Sequence, residues 1–184
     1  QADQAIAAIA ASRHLKLAGF HAHLGSQIYE LDSYVRAIEL MAEFCRPHSP
    51  RIMNVGGGLG IAYSRSDRPP SIEAYVDLKV DALERCFDPL PKILLEPGRS
   101  LVGNAGVTVY TVGAVKEIPG VRTYVAVDGG MSDNLRPMLY GARYEAQLAA
   151  RMGGGTRCHI VGKHCESGDI LVRDADLADP RPGD

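Results

Sequence analysis

The amino-acid sequence predicts an α/β region followed by an all-β region: the C-terminal part of a (β/α)8 barrel over residues 1–104, then an antiparallel β domain over residues 105–184. In the first region short apolar runs alternate with helical patterns, and this order implies right-handed crossovers between parallel strands. A complete (β/α)8 barrel takes about 250 residues, so three strands can only be its last units. The second region consists mostly of alternating or β-branched runs between glycine-rich turns, which indicate an antiparallel sheet.

The composition narrows the class of protein. The 184 residues are 46% hydrophobic, and 20 basic against 22 acidic residues give a net charge of -2, which favours neither nucleic acid nor an anionic membrane as a partner. We find no bilayer-spanning apolar run and no secretory segment, so we expect a cytoplasmic protein. Four cysteines without a CxxC pair indicate neither a zinc site nor a disulfide framework. Because the chain begins with Gln1 and stops just after a strand-like run, we expect a fragment.

The elements of the first region follow from periodicity and end signals. In order, we predict a helix over 5–11, a strand over 15–24, a helix capped by Asp32 or Ser33, a strand over 51–55, a helix from Ser71 and a strand over 92–95. The core-facing stripe of the helix that starts at Ser71 is predicted to be Ile72, Val76, Val80, Leu83 and Phe87.

The second region has four strand-like runs, at 107–115, 123–127, 158–161 and 169–172. Residues 137–152 are rich in alanine, leucine and arginine, so they are predicted to be partly helical. A run of three glycines at 153–155 then ends this segment.

The pentapeptide from Glu96 to Ser100 is the first candidate site. Glu96 ends a buried strand, and α/β folds place ligands at the carboxyl ends of strands. Pro97 and Gly98 suit a type II turn, which would leave the amides of Gly98 and Arg99 facing an anion. A tight turn with a surface ion pair is an equally good interpretation.

Two further stretches could contact a ligand. The loop Gly56 to Gly60 lets backbone amides approach a ligand closely, although its spacing fits neither a Walker loop nor a dinucleotide-binding loop. His21 and His23, two apart on a predicted strand, should share one face. A packed or cofactor-facing imidazole is favoured over a metal, because no third ligand lies close in sequence. The hydroxyl of Ser26 suits a phosphate contact or a plain loop.

Six motifs in one order carry a family resemblance: HLGSQ at 23–27, GGGLG at 56–60, EPGRS at 96–100, VDGGM at 127–131, RPMLY at 136–140 and CESGD at 165–169. Together they resemble the fold-type III pyridoxal-phosphate-dependent decarboxylases, over residues 19–172. The resemblance implies pyridoxal 5'-phosphate as cofactor and decarboxylation of an amino acid, with meso-diaminopimelate giving L-lysine as the expected reaction. Ornithine, arginine, carboxynorspermidine or a carrier-linked amino acid are alternative substrates. A non-catalytic paralogue that binds or regulates is the alternative from another class.

The resemblance also implies roles for individual residues. Glu96 would keep the cofactor ring nitrogen protonated and His23 would stack on the ring, whereas His21 would be structural. The phosphate donors would be Ser26, Gly57, Gly58, Gly98 and Arg99. The substrate carboxylates would be bound by Arg99, Arg136 and Tyr140. Cys165 and Glu166 would handle the acid and amine chemistry in the neighbouring subunit's site, so a homodimer with shared active sites is expected. No metal is expected.

One departure from the family pattern concerns the lysine that forms a Schiff base with the cofactor. The family carries it on an early barrel strand, and none of the five lysines has that context: Lys16, Lys79, Lys92, Lys116 and Lys163. A tyrosine that contacts the cofactor phosphate is expected beyond Asp184. We therefore expect these 184 residues alone to be inactive.

Overall fold

The structure is a computed structural model that describes all residues from Gln1 to Asp184. Contacts within the chain divide it into two units, one of Gln1–Ala62 with Arg68–Ala105 and one of Tyr63–Asp67 with Gly106–Asp184. None of the helices combines the length and the apolarity that crossing a membrane would need.

The first unit contains a three-stranded parallel sheet with helices between its strands. Its strands are β1 (Gly19–His21), β2 (Ile52–Gly57) and β3 (Lys92–Glu96), and its helices are α1 (Ala2–Ala11), α2 (Asp32–Cys45), α3 (Ile72–Cys86) and the short α4 (Arg99–Val102). The strands lie in the order β1-β2-β3, and every pair is parallel. The predicted alternation of strand and helix is therefore confirmed, and the carboxyl ends of all three strands meet at one edge of the sheet.

The core of this unit lies between α2, α3 and the sheet. On α2 the buried residues recur at three- and four-residue spacing: Tyr34, Ile38, Ala42 and Cys45. The last three pack with Met53 and Val55 of β2 and with Leu83 of α3, whereas Tyr34 packs with Leu59 and Tyr75. The burial of these apolar side chains is what holds two amphipathic helices onto one face of the strands.

The cap predicted from the sequence is present at the start of α3 but not at the start of α2. Ser71 caps α3 as predicted, since its hydroxyl accepts a hydrogen bond from the amide of Ala74 at 3.1 Å. The prediction that Asp32 or Ser33 caps α2 is wrong. The residue before α2 is Leu31, already in a helical conformation, and the Ser33 hydroxyl donates to the carbonyl of Glu30 at 2.7 Å.

Two predictions for buried segments of the first unit need correction. The strand predicted over 15–24 is only Gly19–His21, because only these residues pair with Ile52, Met53 and Asn54 of β2. The buried face of α3 is formed by Tyr75, Lys79, Ala82 and Leu83. Of the predicted stripe, Leu83 lies in this set and Phe87 is buried just after the helix, whereas Tyr75 and Lys79 lie at positions that the predicted stripe did not include.

The second unit contains a four-stranded sheet formed by β4 (Val112–Ile118), β5 (Arg122–Val127), β6 (Thr156–Val161) and β7 (Ile170–Leu177), with one short helix, α5 (Arg136–Tyr140). The strands lie in sequence order, and their buried side chains form one apolar cluster that includes Val125, Ile160 and Leu177. The predicted all-β character of this region is therefore confirmed.

The pairing within this sheet is not antiparallel throughout. β4 pairs with β5, and β6 with β7, in antiparallel fashion, but β5 and β6 are parallel. A parallel pair needs a long crossover connection, and the chain from 128 to 155 supplies it. The sheet is mixed because this crossover, which carries α5, returns the chain to the end of the sheet where β5 began.

Two local predictions in the second unit also differ from the structure. Strand β4 begins at Val112, and the predicted residues 107–111 form no strand, with Val107 and Val109 exposed. The helix predicted within 137–152 is limited to α5, because Gly141 follows in the left-handed conformation with φ of 62°. A left-handed residue at this position is a common helix terminator.

Candidate active site

The carboxyl edge of the parallel sheet brings together three polar side chains, His21, Asn54 and Glu96, one from each strand. The Nδ2 of Asn54 donates to Oε1 of Glu96 at 2.7 Å, and Nε2 of His21 lies 3.4 Å from Oε2 of the same carboxylate. Glu96 therefore ends β3 as predicted, with both of its oxygens contacted. His21, expected to be structural, instead contacts the candidate catalytic carboxylate.

The electrostatic surroundings keep Glu96 ionised. The hydrogen bond from Asn54 is the main reason that the pKa of Glu96 is lowered. Electrostatic attraction to the His21 and His23 imidazoles lowers it further. The side chain of Glu96 is about half exposed, at 49%. A half-exposed, ionised carboxylate can accept a hydrogen bond from a protonated nitrogen of a ligand.

The glycine loop lies beside this carboxylate, and its backbone leaves no room for side chains. A Cβ atom on Gly57 would lie 1.7 Å from the carbonyl oxygen of Glu96, and one on Gly56 would lie 2.6 Å from that of Ala22. Gly56 and Gly58 also have left-handed φ angles of 63° and 101°. The loop therefore requires glycine at these positions because other backbone segments of the chain pack directly against it.

His23 lies just beyond the end of β1, so it does not share a strand face with His21 as predicted. Its Nδ1 accepts a hydrogen bond from the amide of Gly57 at 3.3 Å. An accepting Nδ1 means that a neutral His23 carries its proton on Nε2. The imidazole is thus tied to the glycine loop while remaining exposed.

Ser26 lies in an exposed bend that leads into the segment paired with the glycine loop. Immediately after it, the amide of Ile28 donates to the carbonyl of Gly58 at 2.9 Å, and Ile28 and Leu59 form a parallel bridge. The bend with the Ser26 hydroxyl is therefore joined to the loop by backbone hydrogen bonds.

The turn after Glu96 is not the predicted type II turn. Gly98 has φ of 48° and ψ of -100°, and α4 starts directly at Arg99. Nη1 of Arg99 donates to Oε1 of Gln27 at 3.2 Å, and Nε2 of Gln27 donates to the carbonyl of Ile61 at 2.6 Å. Helix α4 therefore starts where an open turn was expected, and Arg99 is its first residue.

A buried lysine under the glycine loop was not recognised in the sequence. Lys79 of α3 is fully buried, and its Nζ donates to the carbonyl of Val55 at 2.9 Å and to the hydroxyl of Tyr75 at 2.7 Å. Burial lowers its pKa to about 8. The signal in the sequence was its position four residues after Tyr75, on the face of the helix that turns inward.

Asn54 was also missed. Its Oδ1 accepts from the amide of Gly56 at 3.0 Å while its Nδ2 holds Glu96. A polar residue inside an otherwise apolar strand, directly before a glycine run, was the available signal.

In the second unit, Arg136 lies among aromatic side chains. Its Nε donates to the hydroxyl of Tyr144 at 3.0 Å, and its guanidinium carbon lies 5.7 Å and 5.6 Å from the ring centroids of Tyr63 and Tyr140. The Tyr140 side chain is exposed. Arg136 and Tyr140 are therefore neighbours, four residues apart on α5.

Cys165 and Glu166 form an exposed turn that the buried Asp169 holds in place. Oδ1 of Asp169 accepts from the amide of Met131 at 2.6 Å, and Oδ2 accepts from the amide of His164 at 2.9 Å. The thiol of Cys165 and the carboxylate of Glu166 are both exposed. The motif predicted at 165–169 is thus an exposed pair of chemical groups on a fixed turn.

Comparison with known proteins gives a consistent family. The family model described as "Pyridoxal-dependent decarboxylase, pyridoxal binding domain" matches residues 1–103. The diaminopimelate decarboxylase of Bacillus subtilis (strain 168) is 46% identical over 100% of this chain and 45% of that protein. That of Synechocystis sp. is 45% identical over 96% of this chain and 40% of that protein. The chain thus spans less than half the length of these relatives.

Solved structures agree with this result. The crystal structure of diaminopimelate decarboxylase from M. jannaschii in co-complex with L-lysine superposes with a TM-score of 0.88 at 30% identity, covering 99% of this chain and 43% of that one. The enzyme from Helicobacter pylori complexed with L-lysine gives a TM-score of 0.85 at 29% identity, covering 99% and 45%. The predicted fold class is confirmed.

The residues of the first unit suit pyridoxal phosphate. A phosphate needs polar and cationic donors, and this unit has such groups in the hydroxyl of Ser26 and the guanidinium of Arg99. A protonated ring nitrogen needs an ionised carboxylate, which Glu96 offers. The side chains of this unit are therefore chemically compatible with the cofactor. From the family match together with this fit, the chain belongs to the pyridoxal-dependent decarboxylases, the fold-type III family whose cofactor is pyridoxal 5'-phosphate.

Proposed function

We propose that the protein to which this chain belongs converts meso-diaminopimelate to L-lysine and CO2. The observation that carries the proposal is the ionised Glu96, held by Asn54 at the sheet edge beside the glycine loop. The named relatives at 46% and 45% identity support the choice of substrate. We assign residues 1–104 to the cofactor-binding barrel and residues 105–184 to the β domain.

We assign the cofactor contacts to the first of these regions. When bound, pyridoxal phosphate supplies the sink for the electrons left on the substrate as CO2 departs. Glu96 keeps the ring nitrogen protonated, and His23 faces the ring with the imidazole that Gly57 orients. The phosphate donors that we propose are Ser26, Gly58, Gly98 and Arg99, whereas the amide of Gly57, expected as a fifth donor, is occupied by Nδ1 of His23.

We assign substrate recognition and proton transfer to charged and polar side chains of both regions. Arg99, Arg136 and Tyr140 bind substrate carboxylates, because a guanidinium fork matches a carboxylate in geometry and charge. Glu166 accepts hydrogen bonds from the distal ammonium. The Cys165 thiol delivers the proton that the α-carbon needs after CO2 has left. We further propose that Cys165 and Glu166 act in the site of a second subunit, so that the protein works as a homodimer.

The test is a substrate panel on the whole protein that contains this chain, loaded with pyridoxal phosphate. Release of CO2 would be measured from meso-diaminopimelate, ornithine, arginine and carboxynorspermidine, and the amine product identified. We expect L-lysine from meso-diaminopimelate and at least about 100-fold lower rates with the others. Faster turnover of another substrate would reassign the specificity. Cofactor binding without CO2 release from any of them would favour a non-catalytic paralogue.

A further inference from the structure

Lys79 is unusual among buried charges because its partners are a phenol and two backbone carbonyls rather than a carboxylate. Its Nζ donates to Tyr75, and it also lies 4.3 Å and 4.2 Å from the ring centroids of Tyr34 and Tyr75. Two aromatic faces stabilise an ammonium in a dry site, but they do not explain why a charge is buried there. The two carbonyls, of Val55 and Gly56, connect it to the candidate site.

The first connection leads from Lys79 to Glu96. Nζ of Lys79 donates a hydrogen bond to the carbonyl of Val55 at 2.9 Å. In a trans peptide the amide points opposite to the carbonyl, so the amide of Gly56 is directed away from Lys79. That amide donates to Oδ1 of Asn54 at 3.0 Å, and Asn54 donates to Glu96 at 2.7 Å. The peptide group between Val55 and Gly56 and the side chain of Asn54 thus link the lysine to the Glu96 carboxylate.

The second connection leads from Lys79 to His23. The carbonyl of Gly56 accepts from Nζ at 3.4 Å and from the hydroxyl of Tyr75 at 3.3 Å. The amide of the same peptide group belongs to Gly57, and it donates to Nδ1 of His23 at 3.3 Å. The orientation of the exposed imidazole therefore depends on a carbonyl held from the buried side.

The backbone conformation explains why one long side-chain donor can serve two carbonyls at this point. Successive carbonyls of an extended strand point in opposite directions, but those of Val55 and Gly56 both reach the same ammonium. The left-handed φ of 63° at Gly56 turns the second carbonyl to the side of the first. Two buried carbonyls on one side each need a donor, and the shared Nζ of Lys79 satisfies both.

We propose that Lys79 is a positioning residue that orients both Glu96 and His23, through the two peptide groups of Val55-Gly56 and Gly56-Gly57. The proposal rests on the proposed function to the extent that Glu96 and His23 are taken to face the cofactor. Its structural part, the dependence of both side chains on Lys79, is independent of any ligand.

The test is Lys79→Met in the whole protein, because methionine has similar length and no charge. In the cofactor-free protein, hydrogen exchange measured by mass spectrometry should be at least about 10-fold faster in the peptide covering residues 52–60, since the amides of Gly56 and Gly57 lose their fixed acceptors. With cofactor, kcat should fall by about 10- to 100-fold and KM by less than about 3-fold, as expected for misplaced reacting groups. Lys92→Met, at the exposed start of β3, is the matched control and should change neither quantity.

A double-mutant cycle separates positioning from general damage. In a Glu96→Gln background, the fall in kcat caused by Lys79→Met should shrink to less than about 5-fold, because the path through Asn54 no longer ends on a carboxylate. Full additivity of the two losses would show that Lys79 does not act through Glu96.

The possible failures are distinguishable. If the wild-type protein neither binds the cofactor nor releases CO2, the proposed function fails, while the exchange experiment still tests the role of Lys79. If the wild type is active and Lys79→Met matches Lys92→Met in exchange and turnover, the inference is overturned. If Lys79→Met does not fold, Lys79→Gln replaces it, because glutamine can still donate to a carbonyl and should give an intermediate loss. Failure of both variants to fold would also overturn the inference, by making Lys79 a folding residue.

Discussion

Glu96 shows how two neighbours determine the chemistry of one side chain. Asn54 donates to one oxygen and His21 contacts the other, so the carboxylate is both oriented and kept ionised. Asn54 contributes because its own oxygen is occupied by the amide of Gly56, which leaves its amino group facing Glu96. The charge of Glu96 therefore depends on the conformation of the glycine loop as well as on its own strand.

The first prediction concerns this charge. In the whole protein, Glu96→Gln should lower kcat by about 100-fold or more and weaken cofactor binding by less than about 10-fold. The amide keeps the shape of the side chain but cannot hold a ring nitrogen protonated. Steady-state kinetics and equilibrium dialysis measure the two effects. Glu39→Gln, in a surface pair with Arg36, is the control, and near-normal turnover of Glu96→Gln would remove Glu96 from the mechanism.

The second prediction concerns Lys79 and pH. Burial lowers its pKa from 10.5 to about 8, so between these values the unfolded chain holds a proton that the folded chain has released. Stability from this group is therefore present above pH 10.5 and lost as pH falls through about 8. Relative to Lys79→Met, the thermal midpoint of the wild type should rise by several degrees between pH 7.5 and 9.5. A constant difference between the two proteins over this range would contradict the burial argument.

Helix α3 combines a conventional end with an unconventional buried face. Ser71 stops the chain from fraying at the start of the helix, and one turn further on the helix begins to present Tyr75 and Lys79 to the sheet. Burial of the Tyr75 hydroxyl is the main reason that its pKa is raised to about 12. A secure first turn therefore supports the part of α3 that contacts the glycine loop.

The third prediction tests that first turn. Ser71→Ala should cost about 1 kcal/mol, because the amide of Ala74 loses its acceptor. Ser33→Ala near the start of α2 is the matched control, since its hydroxyl donates to a carbonyl and caps nothing, and it should change stability by less than about 0.5 kcal/mol. Urea unfolding followed by far-UV circular dichroism gives both values. Equal losses would mean that Ser71 is not acting as a cap.

The turn that carries Cys165 and Glu166 depends on one buried carboxylate, which leads to the fourth prediction. Asp169→Ala should destabilise the β domain by on the order of 2–4 kcal/mol, because two backbone amides lose their acceptor. Asp169→Asn keeps one acceptor and should lose roughly half as much. Chemical unfolding gives the energies, and hydrogen exchange of residues 163–169 reports the order of the turn. Unchanged exchange in Asp169→Ala would show that the turn is held by other contacts.

At the scale of the whole molecule, the proposed homodimer with shared active sites leads to the fifth prediction, which concerns mixtures of two inactive variants. If Cys165 acts in the partner's site, mixing full-length Glu96→Gln and Cys165→Ala under subunit exchange produces mixed dimers with one site free of both changes. Random pairing makes about half of the dimers mixed, so activity should recover to about a quarter of the wild type. Each variant exchanged with itself is the control. No recovery despite proven exchange would place both residues in one subunit's site.

Much of the fold and part of the site could be read from local patterns. The alternation of β1, α2, β2, α3 and β3 follows from periodicities of two and 3.6 residues, which depend only on neighbours along the chain. The glycine loop, the cap at Ser71 and the position of Glu96 at a strand end follow in the same way. The family resemblance added residue roles that no periodicity contains.

What the sequence by itself determined is therefore the order of the elements and a few of their ends, such as Ser71 and Glu96, because backbone conformation responds first to nearby side chains. The tertiary structure alone decided the burial of Lys79, the contact of His21 and Asn54 with Glu96, and the parallel pairing of β5 with β6. Each of these joins residues that are distant in the chain and meet only when strands align and helices pack. A lysine between apolar positions looks the same in sequence whether it faces solvent or two carbonyls, and only the packed fold distinguishes the two.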